Sequence, residues 1–249
     1  MQSIVQPVHS TALSTAQRDE VRDQGWTIVR RLITPAEAAA RIDHYMAVRA
    51  SGPKPGDYGG DPQNPGDPLN AFPRLINQHQ WDALSQTWCN DPRLSAVAAA
   101  AIGQGAVLHQ SMLYYKPPGA RGQALHQDAN YIAIDPLVGV WVALDRADQG
   151  NGGMVMVPGS HRLGLQPVVR ADATDSFTPA GVAVPAGHQK VPIDLDPGDA
   201  VVFTGQVIHG SPPNRSADRF RRSFICHFIG ERAEHFTSPA GTNVRHLAP

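Results

Sequence analysis

Three residues well separated in number have the chemistry to hold one metal ion. His126 and Asp128 are two apart in Leu125-His126-Gln127-Asp128 and lie between strand-like segments. In extended backbone, residues i and i+2 project from the same face, so an imidazole and a carboxylate would enter one pocket side by side. His209, in Val207-Ile208-His209-Gly210-Ser211, supplies a second imidazole. Two histidines and one carboxylate on one face of an ion leave three positions open, which is the facial triad of non-haem Fe(II) sites. A lone His-x-Asp is weak evidence in a chain with 11 histidines. What raises it is the second histidine after a sharp Asp196-Pro197-Gly198-Asp199 turn, and a candidate anion binder beyond it.

That binder is Arg221. If Phe220–Phe228 is a strand, Arg221, Ser223, Ile225 and His227 share one face, and Arg222, Phe224, Cys226 and Phe228 share the other. The aromatic face should pack on a helical layer and the Arg221/Ser223 face should look into a barrel. A buried guanidinium needs an acceptor, and a carboxylate gripped bidentately is the best match. Either a ligand or an aspartate of the protein could fill that place. Asn130 and Tyr131, just past the metal pair, are candidate substrate contacts, although Tyr131 is also readable as a packed strand aromatic. His161 reads as a loop-ordering residue. His109, His188, His227 and His235 have no carboxylate at ligand spacing and read as structural.

The elements that must position these groups change texture along the chain. Residues 1–13 carry no pattern and suggest a loose arm. Ser14 can cap a helix over Thr15–Gln24 with Gly25 as its stop, Trp26–Val29 reads as a strand, and Thr34-Pro35-Ala36-Glu37 opens a helix to about Arg49. Residues 51–70 are too rich in Pro, Gly and Asp for a core element and predict either a substrate lid or a surface loop. Two helices follow, near Trp81–Cys89 and Pro92–Ile102. Beyond residue 105 the chain reads as short strands separated by turns, near Ala106–Leu108, Met112–Tyr115, Gly139–Leu144, Met154–Val157, Val191–Leu195, Ala200–Phe203 and Ser223–Ile229. Residues 163–189 interrupt them and suggest a second lid or a passive insertion. The pattern predicts a mainly β fold with helical support, a jelly roll backed by N-terminal helices, as one domain over 1–249.

Composition narrows the function classes. The net charge of -1 gives no basic field for nucleic acid or anionic lipid, and no apolar run is long enough to span a bilayer. Cys89 and Cys226 cannot build a disulfide framework, and the N-terminus lacks an apolar signal region, so a cytoplasmic location is expected. A small-molecule substrate is the expected partner. The oligomeric state is not legible.

Three blocks carry a family resemblance: Leu108–Asp128 (LHQSMLYYKPPGARGQALHQD), Val140–His161 (VWVALDRADQGNGGMVMVPGSH) and Asp196–Phe228, with its DPGD, HGS and RRSFICHF segments. Together they resemble the phytanoyl-CoA dioxygenase family of Fe(II)/2-oxoglutarate oxygenases. The resemblance implies a double-stranded β-helix and implies His126, Asp128 and His209 as the iron ligands. It implies that Arg221 grips the far carboxylate of 2-oxoglutarate with Ser223 beside it. Trp141, Met112 and Gln110 match positions near the cosubstrate, and Arg74 stands where the family often keeps a basic residue. The interval from His209 to Arg221 is one residue longer than expected, which leaves Arg219 as a competitor. The implied chemistry uses Fe(II), 2-oxoglutarate and O2, releases succinate and CO2, and hydroxylates an unactivated C–H bond. Halogenating relatives lack the carboxylate present here at Asp128, so hydroxylation is favoured. The scattered Lys54, Lys116, Arg121 and Lys190 make a thin case for a fatty acyl-CoA, so a small polar metabolite or natural-product intermediate is the expected substrate. A non-redox cupin-like isomerase or lyase would use the same triad without needing Arg221. A binding module would not need the triad at all.

Overall fold

The computed structural model describes residues 12–237. The arm expected over 1–13 lies outside these residues except at its end, where Leu13 is buried in the helix-side core rather than loose.

The N-terminal third builds the supporting layer. Helix α1 (Thr15–Gln24) is capped by Ser14 in a reciprocal box with Gln17, and Gly25 ends it at φ 92°. Strand β1 (Trp26–Val29) precedes α2 (Pro35–Ala50), where Thr34 and Glu37 form the cap expected from their spacing. The 51–70 segment is turns around a two-residue strand, β2 (Asp57–Tyr58), and leads into the single-turn helix α3 (Pro68–Ala71). Strand β3 (Arg74–Ile76) and helices α4 (Ala83–Cys89) and α5 (Pro92–Ile102) complete the layer.

The remaining chain is β. It runs through β4 (Ala106–Tyr114), β5 (Gln123–His126), β6 (Ile134–Ala143), β7 (Val155–Met156), β8 (Val168–Arg170), β9 (Ala180–Val182), β10 (Val191–Pro192), β11 (Ala200–Thr204), β12 (His209–Ser211) and β13 (Ser223–His235). A seven-stranded sheet has the order β1-β11-β6-β13-β4-β3-β2, and a four-stranded sheet has the order β10-β7-β12-β5. Their strand pairings are antiparallel. This is the jelly-roll fold expected from the strand pattern.

Two cores follow from period-2 alternation on the large sheet. Val138, Val140 and Val142 of β6, with Phe224, Cys226 and Phe228 of β13, meet Tyr45, Leu94 and Val97 of the helices. Trp141 and Ile225 point the other way, into a second cluster with Met112, Met156 and Phe203 between the sheets. The two faces of β13 are therefore disposed as its sequence predicts.

Two expectations need correction. The separate strands expected at 106–108 and 112–115 are one strand, because the polar residues between them do not make a turn: His109 and Gln110 belong to a cavity wall and buried Ser111 bonds to His79. Strand β13 runs six residues past Ile229, pairing with Asp135 and Ile134 beyond a register shift. The 163–189 insertion contains the β8–β9 hairpin.

Candidate metal centre and adjoining cavity

Strand β5 ends at His126, Gln127 stays extended (φ -120°, ψ 125°), and Asp128 opens a short 3₁₀ turn. The strand thus ends two residues before Asp128, yet the extended Gln127 still brings both side chains to one side. The Gln127 side chain turns away, donating to the carbonyls of Gly164 and Gln206 at 3.0 and 2.6 Å and accepting from the Gln166 amide at 2.7 Å. It ties the pair to the insertion and to the loop before β12.

Antiparallel pairing of β12 with β5 sets His209 opposite His126. His126 Nδ1 lies 2.9 Å from the Ala124 carbonyl, and His209 Nδ1 lies 3.1 Å from the Val207 carbonyl. A carbonyl only accepts, so each Nδ1 carries the proton and each Nε2 offers a lone pair. Both Nε2 atoms face the same Asp128 oxygen, Oδ1, at 3.4 and 3.7 Å. Adjacent ligand atoms on an octahedral ion with bonds near 2.1 Å stand about 3 Å apart; these two spacings are close to that, and all three ligand atoms lie within 4.8 Å of one another, so the donor set can close on one ion. No other group of three such ligand residues occurs among the described residues.

Burial shapes the charges. It pushes the His209 imidazole down to about 4, with His126 adding to the effect and Asp128 opposing it. Burial alone would raise the Asp128 carboxyl. The fields of His209 and His227, the nearby His126 ring and a hydrogen bond from His227 outweigh it and hold the group well below its ordinary range. The result in the metal-free chain is a neutral imidazole beside a carboxylate, the protonation pattern a cation requires.

A cavity of about 890 Å³ opens from this cluster. Its wall takes in Gln110, Met112, Trp141, Asn130, Tyr131, Arg74 and Arg221 together with the three metal-ligand candidates. Ser223 lies beneath Arg221, fully buried. Arg221 is 2% exposed. Its Nη1 donates to Ser223 Oγ at 3.0 Å and its Nε to the Gly152 carbonyl at 3.2 Å. Its guanidinium lies 5.2 Å from the Trp141 ring. Burial lowers this guanidinium to about 10, which leaves it charged at neutral pH. Among the described residues no carboxylate forms an ion pair with it. Arg219, by contrast, sits outside the cavity and pairs with Asp148 at 2.8 Å, its side chain 44% exposed.

Arg74 is held among the rings of Tyr58, Phe177 and Tyr114 at 4.4, 4.3 and 5.5 Å. The first two rings come from the 51–70 and 163–189 segments, so both converge on this guanidinium. It donates to the Tyr114 hydroxyl at 3.2 Å, while its buried Nε has no hydrogen-bond partner among the described residues. Tyr131 packs edge-on against the His126 ring, and burial pushes its hydroxyl up to about 12.

Several cavity residues escaped the sequence. Gln123 places its amide nitrogen 3.0 Å from His126 Nε2 and accepts from Tyr114 at 3.2 Å. His109 and His235 line the wall. His227, read as structural, lies 3.0 Å from Asp128 Oδ2. The parity that put His227 on the Arg221 face held the signal. Searching for a carboxylate nearby in sequence missed it, since its partner is 99 positions away.

A two-sheet jelly roll with a His-x-Asp…His cluster at the mouth of an internal cavity is the architecture of the double-stranded β-helix metal enzymes. Within that class the chain belongs to the phytanoyl-CoA dioxygenase (PhyH) family, whose model matches residues 21–223. The peroxisomal phytanoyl-CoA dioxygenase of Bos taurus is 23% identical over 96% of this chain and 74% of that protein. The phytanoyl-CoA dioxygenase domain-containing protein 1 of Danio rerio is 32% identical over 61% of this chain and 54% of that protein. The match thus spans only about half the length of several curated relatives. Among solved structures, EvdO2 from Micromonospora carbonacea var. aurantiaca superposes with TM-score 0.74 at 22% identity, covering 91% of this chain and 94% of its own. The non-heme alpha ketoglutarate dependent epimerase SnoN from nogalamycin biosynthesis gives 0.72 at 19%, covering 90% and 85%. At these identities the likeness is one of fold.

Proposed function

We propose that this chain is an Fe(II)- and 2-oxoglutarate-dependent dioxygenase that hydroxylates a small polar metabolite or natural-product intermediate. One observation carries the reading: the His-Asp-His cluster and a buried guanidinium without a carboxylate partner share one cavity. An unpaired buried charge is costly, and the planar carboxylate at the far end of a bound diacid would complete it.

In this reading His126, Asp128 and His209 hold the iron. Arg221 and Ser223 hold the distal carboxylate of 2-oxoglutarate against Trp141, with Gln110 and Met112 lining the same space. Bound together, Fe(II) and 2-oxoglutarate supply the oxidising chemistry, in which O2 is consumed, succinate and CO2 are released and a substrate C–H bond is hydroxylated. The protein orients and excludes water. Trp141, Phe203 and Ile225 close the apolar side of the cavity, while Asn130, Tyr131 and Arg74 face the space left for substrate. Arg74, caged by rings from both long loops, is the proposed polar anchor, and those loops are the proposed lids. The intact carboxylate at Asp128 supports hydroxylation over halogenation. The alpha ketoglutarate dependent epimerase SnoN shares the fold, so epimerisation belongs in the same assay.

The names of the curated relatives favour an acyl-CoA as the second reading. The basic residues that would meet CoA phosphates speak against it. Arg121 is engaged by Asp67 at 2.6 Å, and Lys116 is buried with Gly152, Ser211 and Pro212 as its acceptors. The near-neutral charge gives no support to a nucleic-acid partner, and no described helix is long and apolar enough to cross a membrane. A cytoplasmic location fits the two free cysteines.

The test is substrate-dependent succinate release from 2-oxoglutarate across a panel of small polar metabolites and acyl-CoAs. Release that requires both Fe(II) and O2 supports the reading. A chain that binds metal but leaves 2-oxoglutarate untouched with every substrate belongs to the isomerase or lyase alternative.

A further inference from the structure

We propose that His227 is a positioning residue for Asp128, holding the carboxylate so that one oxygen alone faces the metal. His227 Nε2 lies 3.0 Å from Asp128 Oδ2, with the two side chains 5% and 11% exposed. A carboxylate that ligates a metal ion is ionised and only accepts, so Nε2 carries the proton and donates. The other oxygen, Oδ1, is the one that faces His126 Nε2 and His209 Nε2. The two oxygens therefore have separate tasks. With Oδ2 free, the carboxylate could rotate and take a second position on the ion. With Oδ2 committed to His227, that position stays open.

The fold places His227 for this. It is opposite Gln110 on β4 and Gly139 on β6, at the point where the β13–β4 register shifts. Glycine at 139 puts no side chain beside the imidazole on that strand. Its other ring nitrogen, Nδ1, is buried and has no hydrogen-bond partner among the described residues. A histidine kept for structure usually satisfies both nitrogens. Here the hydrogen bond to Asp128 is the imidazole's polar anchor.

This inference rests on Asp128 being a metal ligand, and the experiment separates the two. Mn(II) binding is measured by loss of the free-ion paramagnetic resonance signal in the wild type, Asp128→Ala, His227→Leu and His227→Gln, with circular dichroism as the folding control. His227→Leu should bind Mn(II) about 10- to 100-fold more weakly. His227→Gln, whose amide can donate to the same oxygen, should recover to within about threefold of wild type. Wild-type affinity in His227→Leu overturns the proposal and leaves the triad standing, as does equal weakness in both His227 variants. Failure of wild type to bind, or full binding by Asp128→Ala, overturns the triad and this inference together. Should His227→Leu not fold, the long-range ¹⁵N–¹H spectrum of the Zn(II)-loaded wild type decides: protonated Nε2 at His227 is expected, and protonated Nδ1 overturns the assignment.

Discussion

His209 on β12 and His126 on β5 are direct partners across an antiparallel pair, their ring centroids 4.2 Å apart. Residues 83 positions apart in sequence are thus fixed against one another by a strand pairing rather than by a loop. Each ring is also oriented by a hydrogen bond to the carbonyl two residues before it. The centre is preorganised before any ion arrives, and this has consequences that can be measured.

Replacing His126 or His209 with Ala should weaken Co(II) binding by at least about a hundredfold, beyond what loss of an outer hydrogen bond costs, and abolish turnover. The far-ultraviolet dichroism should not change, because the strand pairing is made by backbone. Retained metal affinity in either variant would remove that residue from the ligand set.

Arg221 and Arg219 should behave oppositely. Arg221→Ala removes buried charge-assisted bonds, each worth about 1.5–3 kcal/mol, so 2-oxoglutarate affinity should fall by about 10- to 100-fold. Arg219→Ala breaks a solvent-screened surface pair with Asp148 and should leave that affinity unchanged. Isothermal titration with 2-oxoglutarate distinguishes them, and the reverse outcome would shift the cosubstrate site toward Arg219.

Gly139→Ala tests how the centre is backed. A Cβ there would meet the Phe203 ring at 2.4 Å, and that ring packs 4.5 Å from the His209 ring. Overpacking of this kind costs about 1–3 kcal/mol and should lower Tm by about 2–4 °C per kcal/mol in thermal melts. An unchanged Tm would mean that Phe203 moves aside freely.

The metal-free chain should lose stability as pH falls from about 6.5 to about 4. His209 is driven down to about 4 when folded, so across that window the unfolded chain binds the extra proton and unfolding is favoured. The shift corresponds to a loss on the order of 3 kcal/mol. Asp128, held below its ordinary range, loses its contribution in the same direction at more acid pH. Denaturant melts of wild type and His209→Gln check this, and an equal slope in both would contradict it.

The parts of the molecule legible in sequence were those set by local rules. Capping at Ser14 and Thr34 fixed the helix starts, and alternation from Arg221 to Phe228 sorted Phe224 from Arg221 even though β13 begins only at Ser223. The parts that were not legible depend on partners distant in sequence. His227 finds its carboxylate 99 positions away; Gln123, though only three residues before His126, meets it where the β5–β12 register shifts, which strand alternation does not reveal. The middle of β4 looked like a break because a cavity-facing strand carries polar residues where a core strand would carry apolar ones. The end of β13, Glu231–His235, lacks alternation because several of its residues face solvent.

The most direct test of the account is an anaerobic titration of the metal-free protein with Fe(II) and 2-oxoglutarate, following the weak visible charge-transfer band of the iron–2-oxoglutarate chelate. The account predicts that the band forms in wild type, needs more 2-oxoglutarate in Arg221→Ala, and is absent in His209→Ala. Iron binding without a band in wild type would contradict it.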